Sequence, residues 1–470
     1  MEKIIILIVL ITGVIAIAQL VRVYELTYKL KNRGEHEIPN RDNNLNAKLM
    51  LGFMMFQFFG FIYLMLKYGW TGRGEPASIQ GVETDWLLNV NFVIIIAVFF
   101  ITNFLLFFFS YKYVRKPGVK ATYYSHNNKL EMIWTIVPAV VLAVIIILGL
   151  KSWSELTADA SKKAEKVELF AYQFAWIARY GGEDNTLGKF DYKLTNGSNE
   201  LALMTESTID TSLQEMGKSI ENVELKLKRI NFDYLASEYR GLMATSDYKS
   251  EVDALVTDLS SSDFNLVDVE EKLNHLYAKY SGGHGHGEEG HGDGHVKVAL
   301  NEPNAETRSI IGDLEKELST KERLYRSLVQ MKQNHNSDFD KLALNDIIQK
   351  DTLYLCKDRE YEFSFRAKDV IHSAYFPHFR AQMNVVPGMP TRFKFTPILT
   401  TQEMRESKKD EKFNFVLMCN KICGGAHYKM KMIVVVYPED QYNAWMNSKK
   451  SATFKDQYFP AKEEEETVSK

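Results

Sequence analysis

"CNKICGGAHYKM", residues 419–430, sets two thiols, an imidazole and a thioether in one short stretch: Cys419, Cys423, His427 and Met430. Thiolate and thioether are soft ligands and imidazole is borderline, so the mixture points to copper. Zinc takes cysteine and histidine but seldom thioether, and its structural sites close at four ligands. The flanking segments "EKFNFVLMCN" and "KMIVVVYP" read as strands, which makes the stretch a loop between them. Upstream, "DVIHS" places His372 between two more strand-like runs, and a β sandwich can bring it beside this loop. Two bridging thiolates, two histidines, one methionine and the backbone carbonyl of Lys421 would hold two copper ions. One electron shared over two metals and two sulfurs changes each bond little, which suits electron relay and leaves no obvious open position for substrate.

The same residues admit plainer readings. Cys-x-x-x-Cys alone is compatible with a redox dithiol or a disulfide, and His and Met alone are usually packing residues. The third cysteine, Cys356 in "LYLCKD", reads as a small buried hydrophobe. Three cysteines in 470 residues give no disulfide framework. A net charge of −3 gives no sign of a nucleic-acid surface.

Working outward, "KVELFAYQFAWIARY" from Lys166 alternates and is rich in aromatics. Strand patterns return in "TLYLCKDREYEFSFRAKDVIHSAYF" and "NVVPGMPTRFKFTPI". The expected fold class is a membrane-anchored α + β chain, with a β sandwich occupying 152–194 and 346–445. Between these halves, 195–345 carries helical periodicity, as in Ile310, Ile311, Leu314, Leu318, Leu324, Leu328 and Met331. It reads as a helical insertion packed on itself. Inside it, "GGHGHGEEGHGDGH" sets His284, His286, His291 and His295 among Gly, Glu and Asp. This is either a solvated linker or a metal-catching loop. A charged tail, 446–470, ends the chain.

The first 151 residues differ in kind. Four apolar runs, Ile4–Val21, Leu49–Leu66, Trp86–Phe109 and Met132–Leu150, are long enough to cross a bilayer. The stretches 22–48 and 110–131 are rich in Lys and Arg, whereas 67–85 carries only Lys67 and Arg73. Positive loops stay cytoplasmic, so four uncleaved spans put both termini and the β domain outside. Ala16-Ile17-Ala18 also fits a signal-peptidase site, and cleavage there would invert the topology.

"DVIHS", "VVPG", the C-x-x-x-C-x-x-x-H-x-x-M pattern and "LEMIWTIVPAVVLAVI" together resemble subunit II of haem–copper cytochrome c oxidases, over roughly 86–180 and 350–445. The resemblance implies a transmembrane hairpin at 86–151, preceded by an extra helix pair at 1–85. It implies a Greek-key cupredoxin domain holding a dinuclear copper centre, CuA. Cys419 and Cys423 would bridge the coppers, with His372, His427, Met430 and the Lys421 carbonyl as terminal ligands. By the same resemblance, electrons come from a c-type cytochrome; the extra helices and the helical insertion, departures from the family's plan, suggest a fixed donor complex as the alternative. The electrons pass to haem in subunit I, with subunit III as a further partner. The setting is the bilayer of a bacterial-type inner membrane, the enzyme is a proton-translocating oxidoreductase, and this chain alone does no oxygen chemistry. Glu131 matches a glutamate tied to a proton-entry path; otherwise it is a carboxylate favoured at a helix start. The family's electron-entry tryptophan corresponds to Phe174, and Trp176 remains nearby. Lys421 replaces a glutamate that helps hold a boundary Mg/Mn ion, and Gln382 and Asn384 replace the family's usual Lys and Asp, so that site is expected to be altered or absent. Two other functions stay open: a membrane-tethered copper-binding or thiol-redox assembly factor, and a copper-less scaffold subunit of a quinol oxidase. No C-x-x-C-H occurs, so no c-type haem is attached to this chain.

Overall fold

The computed structural model describes residues 2–30, 39–69, 73–259, 265–281, 298–449 and 452–458. The His-rich stretch from His284 to His295 and most of the charged tail lie outside them. Helix α1 runs over Glu2–Leu30, α2 over Asn40–Leu64 with a π-helical continuation at Met65–Gly69, α3 over Ile79–Lys112 and α4 over Asn128–Thr157. Side-chain caps start two of them: Ser78 Oγ accepts from Gly81 N at 2.9 Å, and Asn127 Oδ1 accepts from Leu130 N at 3.1 Å. Among the described residues, three helical segments are long and apolar enough to cross a membrane: Asn40–Gly69, Ile79–Lys112 and Asn128–Thr157. Their apolar side chains, such as Val93 and Ile101 of α3 and Ile133 and Ile147 of α4, point outward and are exposed. In water such a surface would aggregate; in lipid it is the stable arrangement. Rings hold α2 to α3, with centroids 4.6 Å apart for Phe58–Phe100 and 5.1 Å for Phe61–Phe99.

After α4 the chain forms β1 (Glu165–Tyr172) and β2 (Ala175–Tyr180), then leaves the sheet. Five helices follow: α5 (Glu206–Leu242), α6 (Ser246–Leu259), α7 (Leu266–Tyr280), α8 (Ala305–Gln333) and α9 (Asp338–Leu344). The amphipathic faces of α5 and α8 are packed antiparallel, with Ile209 near the start of one against Leu328 near the end of the other. At the far end Phe232, Tyr239, Tyr248, Val252, Val269 and Leu273 form a second small core.

The chain then returns as β3 (Ile347–Lys350), β4 (Thr352–Cys356), β5 (Tyr361–Ala367), β6 (His372–Phe376), β7 (Ala381–Val385) and β8 (Thr391–Phe395). Helix α10 (Thr401–Lys408), β9 (Phe415–Cys419), β10 (Lys431–Tyr437), α11 (Glu439–Ser448) and α12 (Phe454–Tyr458) complete it. Two five-stranded sheets result, in the orders β3-β2-β1-β5-β8 and β4-β10-β9-β6-β7. Alternate residues of both, among them Leu169, Phe363, Phe365, Leu355, Phe376, Leu417, Val434 and Val436, share one buried core.

Two features tie the β domain together and to α3. The first is a buried charge cluster across neighbouring strands: Glu168 of β1 pairs with Arg179 of β2 at 2.8 Å and with Arg366 of β5 at 2.6 Å. Arg179 also meets Asp346 at 2.5 Å, at the root of the helical insertion. Burial pushes the Glu168 carboxyl up, but the two guanidiniums outweigh it and hold it down at about 2. The second is the joint between α3 and the β domain. Ser78 Oγ donates to the Phe379 carbonyl at 2.7 Å, and Arg380 donates to both Asp85 oxygens at 3.0 and 3.1 Å. The backbone of Ala77 and Ile79 bonds to His378 and Thr396.

Candidate metal centre

β9 ends at Cys419 and β10 begins at Lys431, so the sequence "CNKICGGAHYKM" forms the loop between antiparallel neighbours. β6 lies on the other side of β9, with Ala374 paired to Cys419. That register brings His372, at the start of β6, beside the loop. The ligand atoms of His372, Cys419 and Cys423 all lie within 4.8 Å of one another. Cys423 Sγ is 3.9 Å from Cys419 Sγ, 3.5 Å from His427 Nδ1 and 3.7 Å from Met430 Sδ. The Lys421 carbonyl is 3.1 Å from Cys419 Sγ. The structure therefore brings together His372, Cys419, Cys423, His427, Met430 and the Lys421 carbonyl.

The surroundings suit a cation. His372 is fully buried, its Nε2 lies 2.8 Å from Asp369 Oδ1, and its Nδ1 has no hydrogen-bond partner. A buried imidazole nitrogen left bare is costly unless something else occupies its lone pair. Burial raises the Asp369 carboxyl, but hydrogen bonds from His372, Gln173 and Val370 outweigh it and leave it below its ordinary range. Asp369 is therefore an ionised acceptor that fixes His372 with Nε2 protonated and Nδ1 free, the arrangement a metal ligand needs. Both loop thiols are free and buried. Burial, then the adjacent Cys419 sulfur, push the Cys423 thiol up to about 11. The thiolate forms only when a nearby positive charge compensates it, as a bound metal does. Soft sulfur donors with two imidazoles fit copper.

Of the remaining sequence candidates, Phe174 and Trp176 adjoin the centre, whereas Glu131 and Cys356 lie away from it. Phe174 is half-buried in the turn between β1 and β2, in contact with the Cys423–Gly424 segment. Trp176 is in the core at 2% exposure, its ring centroid 6.3 Å from that of His372. Glu131 lies in the first turn of α4, where its Oε1 accepts from Asn127 N at 3.4 Å. Lys421 presents an exposed side chain. Cys356 is buried away from the centre, its N–H donating to Tyr361 Oη at 2.7 Å. Sequence reasoning missed Asp369 and Gln173. A carboxylate three residues before a candidate ligand histidine was the available signal for the first; nothing local marks the second.

The profile described as "Cytochrome C oxidase subunit II, transmembrane domain" matches residues 74–152. Over these residues the chain is similar to cytochrome c oxidase subunit II. The match spans α3 and most of α4 and ends before the β domain. Among curated relatives, the alternative cytochrome c oxidase subunit 2 of Bradyrhizobium diazoefficiens is 35% identical over 105 residues, covering 22% of this chain and 34% of that one. Cytochrome c oxidase subunit 2 of Thermostichus vulcanus is 30% identical over 94 residues, covering 20% of this chain and 24% of that one. The chain thus spans about a third or less of the length of these two relatives. Of solved structures, the periplasmic domain of subunit II (CoxB) of Bradyrhizobium japonicum aligns at 19% identity and a TM-score of 0.18, over 21% of this chain and 64% of that one.

Proposed function

We propose that this chain is the electron-transfer subunit of a terminal cytochrome c oxidase. It accepts electrons from a c-type cytochrome, or from a fixed donor complex, at a dinuclear copper centre. It delivers them to haem in a partner subunit I, within a proton-translocating enzyme that also contains subunit III. The observation that carries the reading is the convergence of two thiols, two imidazoles and a thioether on a chain whose residues 74–152 match the subunit II transmembrane domain. Copper bound there supplies reversible one-electron uptake and release.

Cys419, Cys423, His372, His427, Met430 and the Lys421 carbonyl would hold the copper in this reading. The protein contributes rigidity: the donors sit on paired strands and a short loop, so their spacing is fixed before any metal arrives. The β domain is of the Greek-key cupredoxin type and lies outside a bacterial-type inner membrane. Four spans, including Ile4–Val21 uncleaved, anchor it. Glu131, at the opposite end of α4, lies on the side from which protons enter. With Lys421 in the loop, the boundary Mg/Mn site is altered or missing.

The test is electron paramagnetic resonance on the purified, copper-loaded full chain. Splitting by two equivalent copper nuclei is expected. A mononuclear signal, or a Cys419–Cys423 disulfide in the working state, would transfer the reading to a copper-binding or thiol-redox assembly factor.

A further inference from the structure

The turn closing the β1–β2 hairpin reaches into the candidate metal centre. Tyr172 and Ala175 are the last paired residues, so Gln173 and Phe174 make up the turn. The Gln173 backbone N–H donates to Asp369 Oδ2 at 2.7 Å, and its side-chain Nε2 donates to the Cys423 carbonyl at 2.6 Å. Through its other oxygen Asp369 holds His372 Nε2 at 2.8 Å. A continuous path of three hydrogen bonds thus joins Cys423 to His372, two candidate ligands from different parts of the chain. Gly424 permits the close approach: at φ +141, a Cβ there would lie 2.8 Å from Gln173 Nε2 and 2.9 Å from the Phe174 ring.

We propose that Gln173 is a positioning residue of the metal centre, holding Cys423 and the Asp369–His372 pair in fixed relation. The inference rests on the metal reading of the site. Cys423 Sγ is the hub: His427, Met430 and Cys419 all lie within 3.9 Å of it. Movement of the Cys423 backbone changes its distance to every other donor at once. The tie needs a side chain that donates. Glutamate has the same shape but, when ionised, offers only acceptors, so it would face the Cys423 carbonyl lone pair to lone pair.

The test compares the full-length wild type with Gln173→Ala and Gln173→Glu in detergent. Copper affinity by chelator competition should fall about tenfold or more in both, the scale for losing a hydrogen-bond partner around a metal site. The resonance spectrum should lose the equivalence of its two copper splittings. A copper-free readout accompanies these: oxidation of the apo protein by glutathione disulfide. Two thiols lose two electrons and two protons to form Cys419–Cys423, while glutathione disulfide becomes two thiols. The untethered Cys423 in Gln173→Ala should close this bond several-fold faster. If both variants keep wild-type affinity, spectrum and oxidation rate, the proposal is overturned. If wild-type protein binds no copper pair yet the oxidation rate still rises on substitution, the oxidase reading fails while the positioning role stands.

Discussion

His372 donates a hydrogen bond from Nε2 to Asp369 across 2.8 Å and keeps Nδ1 buried and bare. The pair sets the tautomer of the ligand and the direction of its lone pair. Replacing Asp369 by Ala removes the orienting acceptor and frees the Gln173 N–H as well. Copper affinity should drop by about 10- to 100-fold, measured by chelator competition. Unchanged affinity would show that His372 is held by packing alone.

Met430 separates ligand chemistry from packing. It is 2% exposed, and its sulfur lies 3.7 Å from Cys423 Sγ. Met430→Leu nearly conserves volume, so thermal unfolding of the apo protein should shift by an amount equivalent to less than about 1.5 kcal/mol. The copper spectrum should nevertheless change, because the thioether is gone. A wild-type spectrum from this variant would remove Met430 from the ligand set.

Acid should expose the buried charge cluster. Glu168 has a folded pKa of about 2 against an ordinary value of 4.5. Its contribution is fully present above pH 4.5 and is lost as pH falls towards 2, because the unfolded chain takes up the proton first. Denaturant unfolding of the wild type should weaken steeply across that window. Glu168→Gln should flatten this dependence. It should also cost about 3–5 kcal/mol at neutral pH, because buried Arg366 loses its carboxylate and Arg179 keeps only Asp346. A variant with an undiminished acid slope would assign that slope to other carboxylates.

The joint between membrane helix and β domain rests on Asp85 and Arg380. Asp85→Ala leaves a guanidinium that had donated to both carboxylate oxygens. The expected loss is about 1–3 kcal/mol, read as faster amide exchange at Ala77 and Ile79, whose N–H groups bond to the domain. Exchange there equal to wild type would mean that Ser78 and the backbone bonds hold the joint unaided.

What was readable in advance follows from how local each signal is. Cys419, Cys423, His427 and Met430 fall within one loop, and ligand chemistry alone marks them. His372 was readable as a histidine between two strand-like runs; its place at the start of β6 is visible only in the structure. The α8 periodicity, including Leu324 and Leu328, announced a helix. Gln173 was not readable: its partners, Asp369 and Cys423, are 196 and 250 positions away. The parallel pairing of β1 with β5 is equally non-local, and β3 is only four residues long, too short for a pattern. Arg179 and Arg366 suggest solvent-facing positions by composition. Their burial follows from Glu168 on the strand between them, a pairing visible only in three dimensions.

Tyr180 and Ile347 face each other across neighbouring strands, at the rim of their sheet. All the residues from 181 to 346 therefore occupy what would otherwise be a simple reversal of direction. The helical arm is a graft on a hairpin: its helices enter and leave at one edge of one sheet, so no strand pairing of either sheet runs through them.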